Sequence, residues 1–153
     1  MYGTPVCDLS LRHMKFFQKS IRLGSKSRGF HLVTDEITSS FGEIRELKNG
    51  MFQAIILHTS ASLTLNENAD PSVRTDMESH FNFMVPERQT YYTHVYEGDD
   101  DMPAHIKASL LGSSILLPIT EGRLNMGTWQ GIYLCEHRDH GGSRKLVLSA
   151  WGI

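Results

Sequence analysis

The stretch "MFQAIILHTSASLTLNENADPSVRTDMESHFNFMV", residues 51–85, holds three elements in a row. "MFQAIILH" is a short apolar run with β-branched residues, which predicts a buried strand ending at His58. "ASLTLNEN" alternates Leu63 and Leu65 with polar residues and predicts a second strand. Asp70 then offers an N-cap and Pro71 the first helical position, where the missing N–H has no intrahelical partner to lose. Val73, Met77, Phe81 and Met84 form the apolar stripe of the helix that follows. Two consecutive strands and then a helix do not fit the alternation of a doubly wound fold.

The flanking sequence extends this pattern. Upstream, "KFFQKSIRL" alternates and predicts a strand over Lys15 to Leu23, and "FHLV" continues extended after a turn. Thr34 and Asp35 cap a single helix over "EITSSFGEIRELK", where Ile37, Phe41, Ile44 and Leu47 recur at helical spacing until Asn49-Gly50 stops it. Downstream, "YYTHVY" reads as strand-like and "PAHIKASLLG" as a short helix from Pro103 to Gly112. "SSILLPIT", "WQGIYLCEH" and "RKLVLSAW" read as strands divided by glycine turns. The expectation is an α+β fold: one domain over residues 15–153, with a large mixed or antiparallel sheet and a few helices. Residues 1–14 precede it as a mobile tail.

Composition narrows the function. A chain of 153 residues with 40% apolar content has room for a real core. A net charge of −2 gives no basic excess for wrapping nucleic acid. No apolar run is long enough to cross a bilayer. The only cysteines, Cys7 and Cys135, fit neither a zinc ribbon nor a disulfide framework, so a reduced, cytoplasmic setting is expected. The modestly basic start of the chain leaves organelle targeting open.

Three polar clusters bear on chemistry. The first follows His58, where Thr59, Ser60, Ser62 and Thr64 crowd together and Asn66, Glu67, Asn68 and Asp70 come next. His58 fits either a functional group at a strand end or a histidine satisfied by the backbone. The second is "YTHVYEGDDDMPAHIK", residues 92–107. There Glu97, Asp99, Asp100 and Asp101 lie between His94 and His105, just before a helix start whose positive end favours acids. His58, His94 and His105 together give three imidazoles, a donor set suited to zinc or another first-row divalent ion with one position left open. The carboxylates would then orient the imidazole N–H groups. The third is "GRLNMGTWQGIYLCEHRDHGGSRK", in which Trp129 serves either as core or as a ring-stacking face, and Arg138 and Arg144 either meet an anion or are solvated.

"KSRGFHLVTDEI", "HTSASLTLNENADPSVRTDME", "YTHVYEGDDDMPAHIKASLLGSS" and "LPITEGRLNMGTWQGIYLCEHRDHGGSRK" closely resemble the YjbQ-like family, a secondary thiamine-phosphate synthase group. The resemblance runs from about Phe16 to Leu148. It implies an α+β homotrimer with a metal site near a subunit boundary, and its motif histidines fall on His58, His94 and His105. The implied reaction joins hydroxymethylpyrimidine diphosphate to a thiazole phosphate and releases pyrophosphate. On that reading Asp99, Asp100 and Asp101 hold magnesium, and Lys107, Arg138 or Arg144 meets phosphate. Trp129 stacks on the pyrimidine, and Thr59, Ser60, Asn66 and Asn68 line the substrate. Three imidazoles are an unusual magnesium site. Two other readings therefore stand beside it: a zinc-type hydrolase with Glu97 or Asp101 as general base, and a trimeric metal- or metabolite-binding module without turnover.

Overall fold

In the computed structural model, which describes residues 14–153, the strands divide between two sheets. The elements in chain order are β1 (Lys15–Leu23), β2 (Gly29–Leu32), α1 (Thr34–Ser40), a 3-10 turn (Gly42–Glu46), β3 (Asn49–Ile56), β4 (Ala61–Glu67), α2 (Pro71–Met84), α3 (Asp101–Leu111), β5 (Ser114–Thr120), β6 (Arg123–Leu124), β7 (Gln130–Glu136) and β8 (Arg144–Gly152). The larger sheet runs β1-β8-β3-β5-β6 and the smaller β2-β7-β4, with every pairing antiparallel. The α+β class expected from the sequence is found, with the strands parted into five and three. The expected tail falls almost wholly on residues 1–13, outside the described residues, as does the question of targeting.

Strand β7 explains the layering. Its residues from Gly131 to Glu136 are all buried, so both of its faces are covered. Ile132 and Leu134 point one way, into a core shared with Leu23, Phe52, Ala54, Leu117, Leu146 and Leu148 of the larger sheet. Tyr133 and Cys135 point the other way, with Phe30, and meet Met77 and Phe81 of α2 and Leu111 of α3. The smaller sheet is therefore the middle of three layers. No helix among the described residues is long and apolar enough to cross a membrane.

Two local expectations are corrected. The single helix over 36–48 breaks at Phe41, whose φ of −132° and ψ of 66° leave the helical region. The Ser39 and Ser40 hydroxyls bond back to the Asp35 and Glu36 carbonyls, which competes with helix continuation, and Gly42 restarts the chain as a 3-10 turn. Ile37, Phe41, Ile44 and Leu47 still reach the core, so the periodicity located the buried face but not the break. "YYTHVY" is a loop, not a strand. Tyr91, Val95 and Tyr96 are all exposed, so neither alternating face has anything to pack on. Asp70 does cap α2, accepting from the Ser72 N–H at 2.8 Å.

On the helix-facing side of the smaller sheet the Ser62 hydroxyl bonds to His137 Nε2 at 2.8 Å, with both side chains buried. Burial, reinforced by Lys107, Arg28 and Arg144, pushes the His137 pKa down to about 3. The unfolded chain takes up this proton near pH 6.5 and the folded chain does not. His137 thus contributes stability that is present above about pH 6.5 and is lost as pH falls toward its folded value. One proton corresponds to at most about 1.4 kcal/mol per pH unit. His137→Gln is expected to flatten the dependence of the unfolding free energy on pH between about 6.5 and 4.5, as read from urea melts. An unchanged slope would contradict the assignment.

Candidate metal centre

Helix α3 begins at Asp101, and Asp101 and His105 sit four residues apart on one of its faces. His94 arrives from the loop before the helix. Its Nε2 lies 2.9 Å from Asp101 Oδ2, while His105 Nε2 lies 3.6 Å from Asp101 Oδ1. One ligand atom from each of the three residues falls within 4.8 Å of the other two. Asp101 is only 1% exposed, His105 is half-buried and His94 opens to solvent. The cluster is thus anchored inside and accessible from outside.

The bonding pattern matters more than proximity. Asp101 Oδ1 accepts from Arg138 Nη1. Asp101 Oδ2 is buried and has no hydrogen-bond partner. A buried carboxylate oxygen without a donor costs about 1–3 kcal/mol or more for a charged group, so this atom marks a place for positive charge, either a proton on His94 Nε2, 2.9 Å away, or a metal ion held with that ring. His105 Nδ1 lies 3.0 Å from the Thr59 carbonyl. A carbonyl can only accept, so Nδ1 carries the proton and the Nε2 lone pair faces the cluster. Metal-ligating histidines are held in this way. Two imidazole nitrogens and one carboxylate oxygen suit a first-row divalent ion with positions left open.

Arg138 organises the surroundings. Besides Asp101, its Nε donates to Asp100 Oδ2 at 2.9 Å and its Nη2 to the Glu97 carbonyl at 2.7 Å. Its own backbone N–H donates to Glu136 Oε1 at 3.0 Å, and Glu136 is clamped by Arg144 at 2.5 and 2.7 Å. Burial alone would raise the Asp100 carboxyl. The Asp139 N–H and the Arg138 guanidinium outweigh burial and hold it below the usual carboxylate range. Gly98 turns this loop at φ 115°, and a Cβ there would sit 2.9 Å from Asp100 Oδ1.

The other residues singled out in the sequence are dispersed. His58 does not join the two imidazoles. Its Nε2 accepts the Lys145 backbone N–H at 2.9 Å and its Nδ1 faces Arg144 at 3.5 Å, so the ring serves the backbone at the end of β3. Asp101 occupies the place expected for it. Lys107 is wholly buried and donates to Asn82 Oδ1 at 2.6 Å, toward α2. Arg144 is taken up by Glu136, and Asp99 by Arg88. Glu97 is exposed, with Oε2 3.7 Å from Arg138. His58, Thr59, His105, Ser109 and Ser113 line a recess of about 460 Å³ beside the cluster, next to the half-buried Ser60. Asn66, Asn68 and Trp129 lie at the far end of β4, which at the usual rise per residue is about 20 Å from Ala61.

Sequence reasoning missed two contributors. The Thr59 carbonyl is invisible in a side-chain pattern. Arg138 was weighed as an anion contact and instead holds three acidic residues of one segment, Glu97, Asp100 and Asp101, in place. The Asp101–His105 spacing was the available signal for a carboxylate ligand, because residues four apart share a helix face.

A family model described as UPF0047 protein YjbQ-like matches residues 19–153. The chain is 56% identical over 137 residues to UPF0047 protein YjbQ of Salmonella typhimurium, covering 90% of this chain and 99% of that protein. It is 46% identical over 106 residues to a UPF0047 protein of Synechocystis, covering 69% and 72%. An uncharacterized conserved protein of the yjbq/upf0047 family from Clostridium acetobutylicum superposes with a TM-score of 0.75 at 37% identity, over 85% of this chain and 97% of that one. A YbjQ-like protein of unknown function from Sulfolobus solfataricus shares the fold, with a TM-score of 0.79 at 23% identity over 92% and 100%.

Removing Arg138 leaves Asp101 buried and Asp100 nearly so without their cation. Breaking a buried pair from one side costs about 3–5 kcal/mol. Arg138→Ala is expected to lose that much in urea unfolding, and adding Asp100→Asn is expected to recover part of it. A loss below about 1 kcal/mol, the value of a surface pair, would contradict the brace.

Proposed function

The chain belongs to the YjbQ-like family, and within it we propose that His94, Asp101 and His105 hold one divalent metal ion at a site that acts on a phosphorylated small molecule. The observation that carries this is Asp101 Oδ2, buried without a hydrogen-bond partner beside the His94 ring. The reaction proposed is the secondary thiamine-phosphate synthase one. The methylene carbon of hydroxymethylpyrimidine diphosphate is taken by the thiazole nitrogen as its bond to the diphosphate oxygen breaks, and pyrophosphate leaves. When bound, the metal supplies positive charge where the leaving diphosphate develops negative charge. A carboxylate in place of a third imidazole makes the donor set harder and more tolerant of magnesium or manganese than three histidines.

The chain's own groups have distinct parts. Thr59 holds the proton on His105 Nδ1, and Arg138 fixes the angle of Asp101. Thr59 and Ser113 line the neighbouring recess, where their hydroxyls meet phosphate oxygens, while the Ser109 hydroxyl is held by the His105 carbonyl. Glu97, exposed and only loosely paired with Arg138 at 3.7 Å, is the carboxylate that moves a proton. Assembly as a homotrimer belongs to the same proposal. It is supported by the outer face of the larger sheet, which carries exposed Phe16 and Leu116, and by exposed Tyr91, Val95 and Tyr96 beside His94.

One observation favours hydrolysis as a second reading. Lys107, Arg138 and Arg144, the cations the sequence offered to phosphate, are all engaged by protein groups. A divalent ion held by His94, Asp101 and His105 would supply Lewis acidity toward water, and Glu97 would take the proton as base with no further cation.

Metal analysis with turnover assays separates these readings. The purified protein is expected to carry about one divalent ion per chain, in line with a single three-ligand site. His94→Ala with His105→Ala is expected to lose that ion and at least about 100-fold of turnover, as metal-assisted catalysis requires, while keeping its far-ultraviolet circular dichroism. Thiamine phosphate formed from the two substrates supports the synthase. Free pyrophosphate without it supports hydrolysis. Full metal content in the double variant sinks the site.

A further inference from the structure

The far end of β4 has a second recess, of about 440 Å³, lined by Leu65, Asn66, Glu67, Trp129 and Gln130. The indole of Trp129 is 66% exposed. A large ring left in water is a fold-neutral feature when its backbone is loose, but this backbone is fixed. Asn68 donates its side-chain N–H groups to the Thr128 and Gln130 carbonyls at 3.2 and 3.0 Å, and its backbone N–H to the Trp129 carbonyl at 2.8 Å. Gln130 Oε1 accepts the Gly127 N–H at 2.8 Å. The Glu67 carbonyl accepts from the buried Tyr133 hydroxyl. The wall that presents Trp129 is therefore pre-arranged, and a ring docking on it loses little freedom.

Glu67 is the one charged side chain among the described residues that line the recess, and Arg74 stands behind it, its Nη1 3.5 Å from the Tyr133 hydroxyl. Among the described residues the Glu67 carboxylate has no hydrogen-bond or ion-pair partner, and no cation lines the cavity. Asn66 is committed, its Oδ1 to the Glu67 N–H at 2.8 Å and its Nδ2 toward Met77. What remains for a ligand is an open indole face and one free carboxylate. An indole face attracts cations through its quadrupole, and a carboxylate beside it pairs with the same charge.

We propose that this recess, at the Glu67 end of β4 and about 20 Å along the strand from Ala61, is a binding site for a planar, positively charged nitrogen heterocycle. Trp129 stacks on the ring and Glu67 pairs with its charge. The site needs no metal and stands whether or not the metal reading does.

The test uses 1-methylnicotinamide, a cationic ring, against neutral nicotinamide, with the full chain in a chelator. Binding is read by quenching of Trp129 fluorescence in a Trp151→Phe background and by calorimetry. The cation is expected to quench saturably and to bind at least about fivefold more tightly than the neutral ring, the ratio one cation–π and ion-pair contact gives at an open site. Glu67→Gln is expected to erase that preference. Trp129→Ala is expected to lose at least about tenfold in calorimetry, the order of one stacking contact. His94→Ala with His105→Ala is expected to change neither. No saturable binding, equal binding of the two rings, or unaltered binding in Trp129→Ala overturns the proposal. So does Trp129 emission typical of a buried indole, which would mean that a second copy of the chain covers the recess.

Discussion

Asp101 is a buried carboxylate with one oxygen satisfied and the other not. Much of the described structure converges on keeping it so. Arg138 reaches Oδ1 from the end of β7, and the first turn of α3 supplies its favourable dipole. The loop carrying His94 is tied to the same arginine through Glu97 and Asp100. Behind Arg138 stands the Glu136–Arg144 pair, which links β7 to β8 and orients His58. The Arg138 guanidinium pairs the Asp101 charge through Oδ1, and Oδ2, beside the His94 ring, keeps room for a second cation. The same arrangement prepares a site for a cation.

The strands were legible because alternation and short apolar runs report directly on burial. Lys15–Leu23 and the cap at Asp70 were readable residue by residue. The two-sheet division was not, because β7 is buried on both faces and its run "GIYLCE" carries no alternation to say which layer each residue meets. The break at Phe41 came from serine back-bonding, which the helical period of the apolar residues does not register. "YYTHVY" had strand composition but no partner edge.

In the site, His94 and His105 were legible as a pair around an acidic run. Choosing His58 as the third member followed from residue type and from the family resemblance. In the structure His58 Nε2 accepts the Lys145 N–H, and the ring stands apart from His94 and His105. Asp101, expected as a supporting carboxylate or a base, stands with the imidazoles instead. Lys107 was offered to phosphate by the sequence, yet it is buried against Asn82, because position 107 faces α2 and not the histidines. The two ends of β4 thus carry different chemistry: an N,N,O cluster with a hydroxyl-lined recess at one, an indole and a free carboxylate at the other.

The most direct measurement is diffraction from metal-loaded crystals at the absorption edge of the bound ion. The account predicts one anomalous peak at about 2.0–2.2 Å from a His94 nitrogen, Asp101 Oδ2 and His105 Nε2, with His58 still bonded to the Lys145 N–H. A peak on His58, or loaded crystals with no peak between His94 and His105, would contradict it.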